Sequence, residues 1–409
     1  MNVPFLSFKS LISKPLTSVL SWLLLTFGVC IVSLILLVSS QLKSEINKNA
    51  AGIDMVVGSK GSPLQIILSS IFHVDFPTGN ISLKQADQLS KNRYITNAVP
   101  LSLGDSYRGY RIVGTTLKYA ELYEATLNKG DWFDQDLEAV IGADVANEIG
   151  LSLGDEFASQ HGLDEAGDDH GHHDFRVVGI MQATNTVLDR LILVSTKSVW
   201  LVHEHEEEHH TSDSTVNLAR LNLEVTKDQL ENEAITSLLL TYKSPMAAVM
   251  LPRTINSMVD LQAASPAFET ARLFNIIGAG VQVLNILGVV VVVISGISIF
   301  IALLNSLKER KYEIAIMRSM GASQTVIFLH IIYEGLFLAI IGAVSGLVVA
   351  HLGLGYLGKV VEGMRTEMFI FLPEELYVML GAIGIGLVAS IIPAVIALKT
   401  DISTTLSKG

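Results

Sequence analysis

A single cysteine, Cys30, stands in the 409 residues, and it lies inside an apolar run. An intrachain disulfide is therefore excluded, and Cys30 reads as a packing residue. Charge is scarce too. Only 17% of the residues are Asp, Glu, Lys or Arg, against 50% hydrophobic ones, and the mean hydropathy is +0.47. That balance is too apolar for an ordinary soluble domain and points to several bilayer spans. Basic residues are outnumbered, 28 to 40, for a net charge of −12. No basic footprint for nucleic acid is present. The chain also lacks a Gly-x-x-x-x-Gly-Lys-Ser/Thr phosphate loop, since Gly58-Ser-Lys-Gly-Ser62 has neither that spacing nor a reading beyond a turn. No nucleophile elbow, rigid zinc-hydrolase spacing or pair of carboxylates in a credible pocket is visible, so the chain is not expected to be an enzyme.

What is present is four long apolar runs. Pro15 to Leu42 carries no charge, and its core, Leu16–Val38, suffices for a hydrocarbon core of about 30 Å. It continues into Ser40-Gln-Leu-Lys43 without a small-residue cleavage site, which predicts a retained signal anchor. The second run, Leu273–Leu307, would make a helix of about 52 Å, longer than the bilayer is thick. Gly278, Gly280 and Gln282 mark its outer part. The third, Thr325–Leu357, is interrupted by one charge, Glu334, and the fourth is Leu376–Leu398. Gly342 and Gly346, and Gly381, Gly384 and Gly386, read as places where these helices pack closely.

Orientation follows from Lys and Arg near the span ends. Lys9 and Lys14, then Lys308, Arg310, Lys311 and Arg318, then Lys399 and Lys408 all fall on one side of a four-span arrangement, the cytoplasmic side. Residues 42–270, with 17 basic and 32 acidic side chains, then lie outside. The outer block reads as a mixed sheet with helices. Strands are expected at Ile53–Val57 and Arg108–Val113, helices at Leu83–Lys91 and Asp144–Ile149. Phe157–Ala158 and Phe175–Ile180 should flank a polar insertion as a hairpin, and the alternation over Val216–Val225 predicts a half-buried strand.

Two kinds of candidate site emerge. Between spans two and three, Lys308-Glu-Arg-Lys-Tyr-Glu-Ile-Ala-Ile-Met-Arg-Ser-Met-Gly-Ala-Ser323 has helical spacing that puts Tyr312, Ile316 and Met320 on one face; Gly321 would stop the helix and Ser323 cap the next. A mere topology anchor has no need of an amphipathic helix. Glu334 is the charged residue inside a span and a functional candidate on that ground, by packing, interprotomer bonding or an ion role. The second kind is histidine: eight of the 11 fall in two acidic stretches, as His161, His170, His172 and His173, and as His203, His205, His209 and His210. Clustered His and acid suit Zn²⁺ or a similar borderline divalent ion, bound weakly rather than in a closed structural site.

The Lys308–Ser323 stretch resembles the coupling segment of the FtsX/MacB-like permease family, at Glu313, Ile314, Ala315, Ile316, Met317, Arg318, Gly321 and Ala322. Ile392-Pro-Ala-Val-Ile-Ala-Leu-Lys399 is similar to the family's closing Pro-Ala-x-x-Ala signature, although Ile402 stands where a second proline is frequent. Gly130-Asp-Trp-Phe133, Val140-Ile-Gly-Ala-Asp-Val-Ala146 and Gly150-Leu-Ser-Leu-Gly-Asp155 resemble its periplasmic core. The resemblance implies a permease subunit of an ABC system of the bacterial inner membrane. A separate cytoplasmic ATPase would use the ATP, and a second permease protomer is expected. Glu309, Arg310, Tyr312, Glu313, Ile316, Met317, Arg318 and Gly321 would then be the ATPase-coupling residues.

The implied layout is a cytoplasmic N-terminus (1–15), transmembrane helix 1 (16–41), an extracytoplasmic α/β core with histidine-rich loops (42–272), a stalk with transmembrane helix 2 (273–307), a coupling helix (308–324), transmembrane helix 3 (325–357), an outer loop (358–375), transmembrane helix 4 (376–398) and a cytoplasmic tail (399–409). Such a subunit would export or extract a substrate. Alternatively it would transmit force to an extracytoplasmic partner without transport, or serve as a membrane-anchored metal sensor.

Overall fold

The structure, a computed structural model, describes residues 3–13, 15–161, 169–203, 215–360 and 367–398, with the backbone alone for 161 and 169–173. The chain forms two compact units, Met1–Lys43 with Ile276–Gly409, and Ser44–Asn275.

In chain order, helices α1 (Val3–Ser13) and α2 (Pro15–Asn49) lead to strand β1 (Met55–Ser59) and helix α3 (Pro63–Ser70). Strand β2 (Ile81–Ser82), helix α4 (Leu83–Ser90), strands β3 (Ile95–Tyr107) and β4 (Tyr110–Thr115) and helix α5 (Leu117–Leu122) follow. Next come β5 (Leu127–Gly130), β6 (Glu138–Ile141), α6 (Ala143–Ile149), β7 (Glu156–His161), β8 (Asp169–Met181), β9 (Leu191–Ser195) and α7 (Thr196–His203). The unit is completed by β10 (Thr215–Leu218), β11 (Leu223–Thr226), α8 (Lys227–Asn232), β12 (Ala234–Ile235), β13 (Ser237–Tyr242), α9 (Pro245–Asn256) and β14 (Leu261–Ala264). Helices α10 (Pro266–Glu309), α11 (Lys311–Ser319), α12 (Gln324–Val360) and α13 (Pro373–Leu398) close the described chain.

The outer unit is built on a mixed sheet in the order β14-β1-β13-β3-β4-β9-β6-β8-β5, with β7 bridging β3 and β8. Pairs β4–β9 and β6–β8 are parallel, the rest antiparallel. Its central strands are buried on both faces, which is why they read as apolar runs rather than alternations. In β1, Met55 and Val57 enter one core with Leu238, Leu240, Leu251 and Ile255, while Val56 enters another with Ile66, Ile67, Leu101, Tyr119 and Leu239. A third core, with Ile112, Ile141, Phe157, Phe175 and Ile192, fills the part around β6–β9. The expected hairpin of 157–158 with 175–180 is the β7–β8 pair, Phe157 opposite Phe175. The single strand expected over 216–225 is instead a tight hairpin, β10–β11, with Val216 opposite Val225. The chain reverses at 219–222, where Asn222 takes φ +56°. Leu218, Leu221 and Leu223 all turn inward, so burial on both sides of the turn mimics one continuous alternation.

The other unit holds the parts of the four long apolar helices that can cross a membrane. Small residues let them approach. A Cβ on Gly346 would lie 2.7 Å from Val29 Cβ and 2.8 Å from the Thr26 carbonyl oxygen, and one on Gly386 would lie 2.4 Å from Ala339 Cβ. Gly342 similarly meets Leu25. Gly381 and Gly384, expected to pack closely, have nothing within 4 Å of a built Cβ. They line an open apolar groove with Val293, Ile297 and Val388, on a different face of α13 from Gly386. Ser345 is the hub of a polar contact inside the bundle: Trp22 Nε1 donates to its Oγ at 2.9 Å, and Thr26 Oγ1 lies 2.7 Å away.

Candidate functional site

Helix α11 follows α10 after a break at Arg310, whose backbone (φ −104°, ψ 13°) leaves the helical range and serves as the N-cap. Ile314 and Ala315 are buried, Ile314 in the core that α10, α12 and α13 share. Tyr312, Ile316 and Met320 share the opposite side and are 48%, 37% and 81% exposed. Met317 and Arg318 are half-buried, while Glu309 and Glu313 are exposed. The helix ends in a Schellman turn: Gly321 N–H donates to Arg318 O at 3.1 Å and Ala322 N–H to Met317 O at 2.9 Å, with Gly321 at φ +100°. Ser323 Oγ then accepts from Val326 N–H at 3.4 Å and opens α12. A short helix closed at its C-terminal end thus presents an apolar face rimmed by charge.

Arg310 also points inward. Its Nε binds Glu313 Oε2 at 2.6 Å, its Nη1 lies 3.6 Å from Glu334 Oε1, and it donates to Ser10 Oγ on α1. Glu334 is buried on α12 and has His330 Nε2 at 3.4 Å, one turn earlier on the same helix. His330 Nδ1 sits 2.8 Å from Ser7 Oγ, and Ser7 also donates to the His330 carbonyl at 2.9 Å. Two cavities of about 20 Å³ each flank Glu334, one lined by Arg310, Ser306 and His330, the other by Ser10, Thr17 and Ser18. Each has room for about one water. The sequence marked Glu334, Arg310 and Glu313 separately; it missed His330, Ser7 and Ser10. His330, four residues before an intramembrane acid, was the signal that could have been read.

Glu334 is accompanied by a second buried carboxylate. Glu375, in the first turn of α13, is 3% exposed and lies 3.0 Å from His351 Nε2 on α12. Glu375 Oε2 accepts from Leu372 N–H at 3.0 Å, and His351 Nδ1 faces the Met368 carbonyl at 2.7 Å. Glu375 sits at the margin of the expected outer loop, where an acid attracts no notice.

In the outer unit one candidate histidine, His203, meets a buried carboxylate. Asp105, buried on β3, is paired in backbone register with His161 at the end of β7. Its Oδ1 lies 3.4 Å from Nε2 of His203, the last residue of α7. His203 Nδ1 faces the Val199 carbonyl at 2.8 Å, and the Asp105 carboxylate pushes the imidazole pKa up. His170, His172 and His173 lie in β8, where the backbone alone is described, and His205, His209 and His210 lie outside the described residues. Among the described residues no group of three His, Cys, Asp or Glu is disposed to hold a metal. The glycine-rich Gly58–Ser62 stretch serves the fold, because Lys60 Nζ donates to the Asn256, Met258 and Leu261 carbonyls at 2.8, 3.2 and 3.2 Å.

Comparison with known proteins matches two family models, an FtsX-like permease C-terminal domain over residues 285–402 and a MacB-like periplasmic core domain over residues 18–237. The chain is 28% identical over 135 residues to the ABC transporter permease YtrF of Bacillus subtilis (strain 168), which covers 30% of this chain and 31% of that protein. The match thus spans under a third of that relative's length. Among solved structures it is similar to the periplasmic region of MacB from Actinobacillus actinomycetemcomitans, at 13% identity and a TM-score of 0.34, over 56% of this chain and 98% of that one.

Proposed function

Because this chain belongs to the FtsX/MacB-like family of ABC transporter permeases, a family that implies a cytoplasmic ATPase partner, we propose that it converts the motion of that ATPase into movement of its extracytoplasmic unit, to export or extract a substrate. The family and the four apolar helices make it a multi-pass inner-membrane protein with a large periplasmic domain. The observation that carries the coupling reading is the double role of the α10–α11 corner. Outward, α11 offers Tyr312, Ile316 and Met320. Inward, Arg310 joins Glu334 of α12 and Ser10 of α1. A push on the outer face of α11 is therefore delivered to two further helices through one guanidinium group. Charge around the face would make docking salt-sensitive.

A second copy of the chain completes the working unit in this reading, and the lipid bilayer covers the rest of the apolar surface. The size of the outer unit, Ser44–Asn275, favours handling of a substrate or partner protein there. The histidine-rich stretches add a divalent-metal link, since their side chains are ligands of the kind Zn²⁺ takes.

The test separates docking from transmission. Tagged chain is purified in mild detergent from its native membranes, and the ATP hydrolysis that copurifies is measured. Ile316→Asp with Met320→Asp should lose at least tenfold of it, because two charges would be buried in the apolar contact. Glu334→Gln should retain the ATPase, because it leaves the outer face intact. Equal recovery with the Asp variant would refute the docking face.

A further inference from the structure

The motifs Gly130-Asp-Trp-Phe133 and Gly150-Leu-Ser-Leu-Gly-Asp155 lie in different turns of the outer unit, and the coupling corner uses neither. The fold brings them together. Asp131 and Trp132 from the first, Leu153 and Gly154 from the second, and Arg176 from β8 line one open cleft of about 510 Å³. That volume falls within the roughly 300–1,000 Å³ typical of binding clefts. The close approach of the segments depends on Gly130, at φ +76°. A Cβ there would collide with the Val178 carbonyl oxygen and stand 2.8 Å from Leu153 Cδ2.

The walls are of two kinds. Trp132 is half-buried against the core, and Leu153 is 42% exposed, so both offer apolar surface. Three carboxylates, those of Asp131, Asp134 and Glu138, stand against the single guanidinium of Arg176. Glu138 is already committed. Its Oε2 accepts from the Asp134 and Gln135 N–H groups at 2.9 and 3.0 Å, and its Oε1 lies 3.4 Å from Arg176 Nη2. Those two backbone donors, with Arg176 behind them, hold the Glu138 carboxyl below the usual range, so it stays ionised and balances Arg176. Asp131 and Asp134 remain, exposed and with no cation beside them among the described residues. A cleft with two spare carboxylates next to an indole suits a basic side chain, by charge and by cation–π contact. Leu153 suits an apolar neighbour of that side chain.

Strand β5 ends at Gly130 and leads into the cleft. It is the last strand of the sheet and pairs with β8 alone. Its register shifts between Leu127 and Lys129, which leaves Asn128 out of the pairing. The outer edge of β5 thus has no strand beside it among the described residues, and an extended peptide can add there by main-chain hydrogen bonds. We propose that the β5 edge and this cleft together bind an extended polypeptide segment in which basic and apolar side chains alternate. The proposal rests on the reading that the outer unit handles a substrate or partner protein, and it is independent of ATPase docking.

The full chain in detergent is titrated against a fluorescein-labelled Lys-Leu-Lys-Leu-Lys peptide, and binding is read by anisotropy. A Glu-Leu-Glu-Leu-Glu peptide with the same label, and the basic peptide with an N-methylated backbone, are the controls. Wild type should bind the basic peptide saturably, more weakly as salt rises, and the acidic peptide not at all. The double variant Asp131→Asn with Asp134→Asn, and the single variant Trp132→Leu, should each weaken binding about threefold or more. Glu224→Gln with Asp260→Asn removes the same charge away from the cleft, Asp260 lying beside β14 at the opposite edge of the sheet, and should change nothing. Equal weakening by both double variants would reduce the effect to the general acidity of the outer unit and overturn the site. Undiminished binding of the N-methylated peptide would overturn addition to β5, and it needs no variant that could misfold. Preference for the acidic peptide, or no saturable binding, would overturn the proposal outright. The ATPase that copurifies is measured in the same preparations, so failure here with the ATPase retained leaves the coupling reading standing.

Discussion

His73, in the outer unit, has its protonation state set by burial. It is buried and adopts φ +54°, which side chains seldom take. Tyr119 Oη lies 2.9 Å from its Nε2, while Arg111 donates through Nε to its carbonyl at 3.1 Å and through Nη2 to the Asp75 carbonyl at 2.7 Å. Burial, helped by the Arg111 charge, pushes its pKa from 6.5 down to about 3. The sign follows directly. Below about 6.5 the unfolded chain takes up a proton that native His73 refuses until about 3, so stability falls as pH drops through that window, by up to about 1.4 kcal/mol per pH unit. His203 runs the other way. Its raised pKa means that its contribution is present below 6.5 and fades as pH rises through the higher folded value. Melting curves of metal-free chain against pH should show the acid limb flattened by His73→Asn, which tolerates the backbone, and left in place by His203→Gln.

The same residue-level logic applies to Arg310 and Glu334. Arg310 has two carboxylates, Glu313 at 2.6 Å and Glu334 at 3.6 Å, whereas Glu334 is buried with Arg310 and His330. Removing the guanidinium takes the formal positive charge from beside a buried carboxylate; removing the Glu334 charge leaves Arg310 with Glu313. Arg310→Leu should therefore cost roughly 3–5 kcal/mol, the usual range for breaking a buried pair from one side, and Glu334→Gln distinctly less. Equal losses in thermal melting in detergent would refute the asymmetry.

At the scale of elements, the sequence was legible wherever one residue type had one reason to be there. Four long runs became four helices, because only burial in lipid rewards such runs. The face Tyr312–Ile316–Met320 was correctly grouped by period. Pattern alone says nothing about which face packs inward, and Ile314 with Ala315 took that place. The β10–β11 hairpin hid for a related reason: both arms bury leucines, so the turn at Asn222 did not break the alternation. Glycines were grouped by type although their surroundings differ. Gly346→Ala would force a methyl group to 2.8 Å from a backbone oxygen, and Gly384→Ala would meet nothing within 4 Å. The first should destabilise the bundle by about 1–3 kcal/mol through overpacking. The second should be neutral or stabilise by about 0.5–1 kcal/mol, because alanine restricts the unfolded chain and suits a helix better. Thermal melting of the two single variants in one detergent decides it, and a matching loss in both would refute the packing assignment.

For the whole molecule, topology was the most legible feature, since the distribution of charge reports it directly. The acidic block 42–270 carries a net of −15, while the remainder, with 11 basic and 8 acidic residues, is slightly positive. Polar sites were far less legible, because they join residues distant in the chain: Ser10 with Arg310, Gln41 with the Glu367 carbonyl, Asp105 with His203. No local period encodes such pairs. The scarcity of cysteine makes the topology testable. Cys30 is the only thiol, and Cys30→Ser gives a background into which single cysteines can be placed. Lys129→Cys and Phe371→Cys, both at exposed positions, should react in intact cells, once the outer membrane is permeabilised, with a maleimide that cannot cross the inner membrane. Lys311→Cys and Met320→Cys, equally exposed, should react after the inner membrane is opened. If Met320→Cys were labelled from outside, the α10–α12 corner would lie on the periplasmic side. The four-span arrangement and the docking of a cytoplasmic ATPase on α11 would then fall together, because both depend on that one placement.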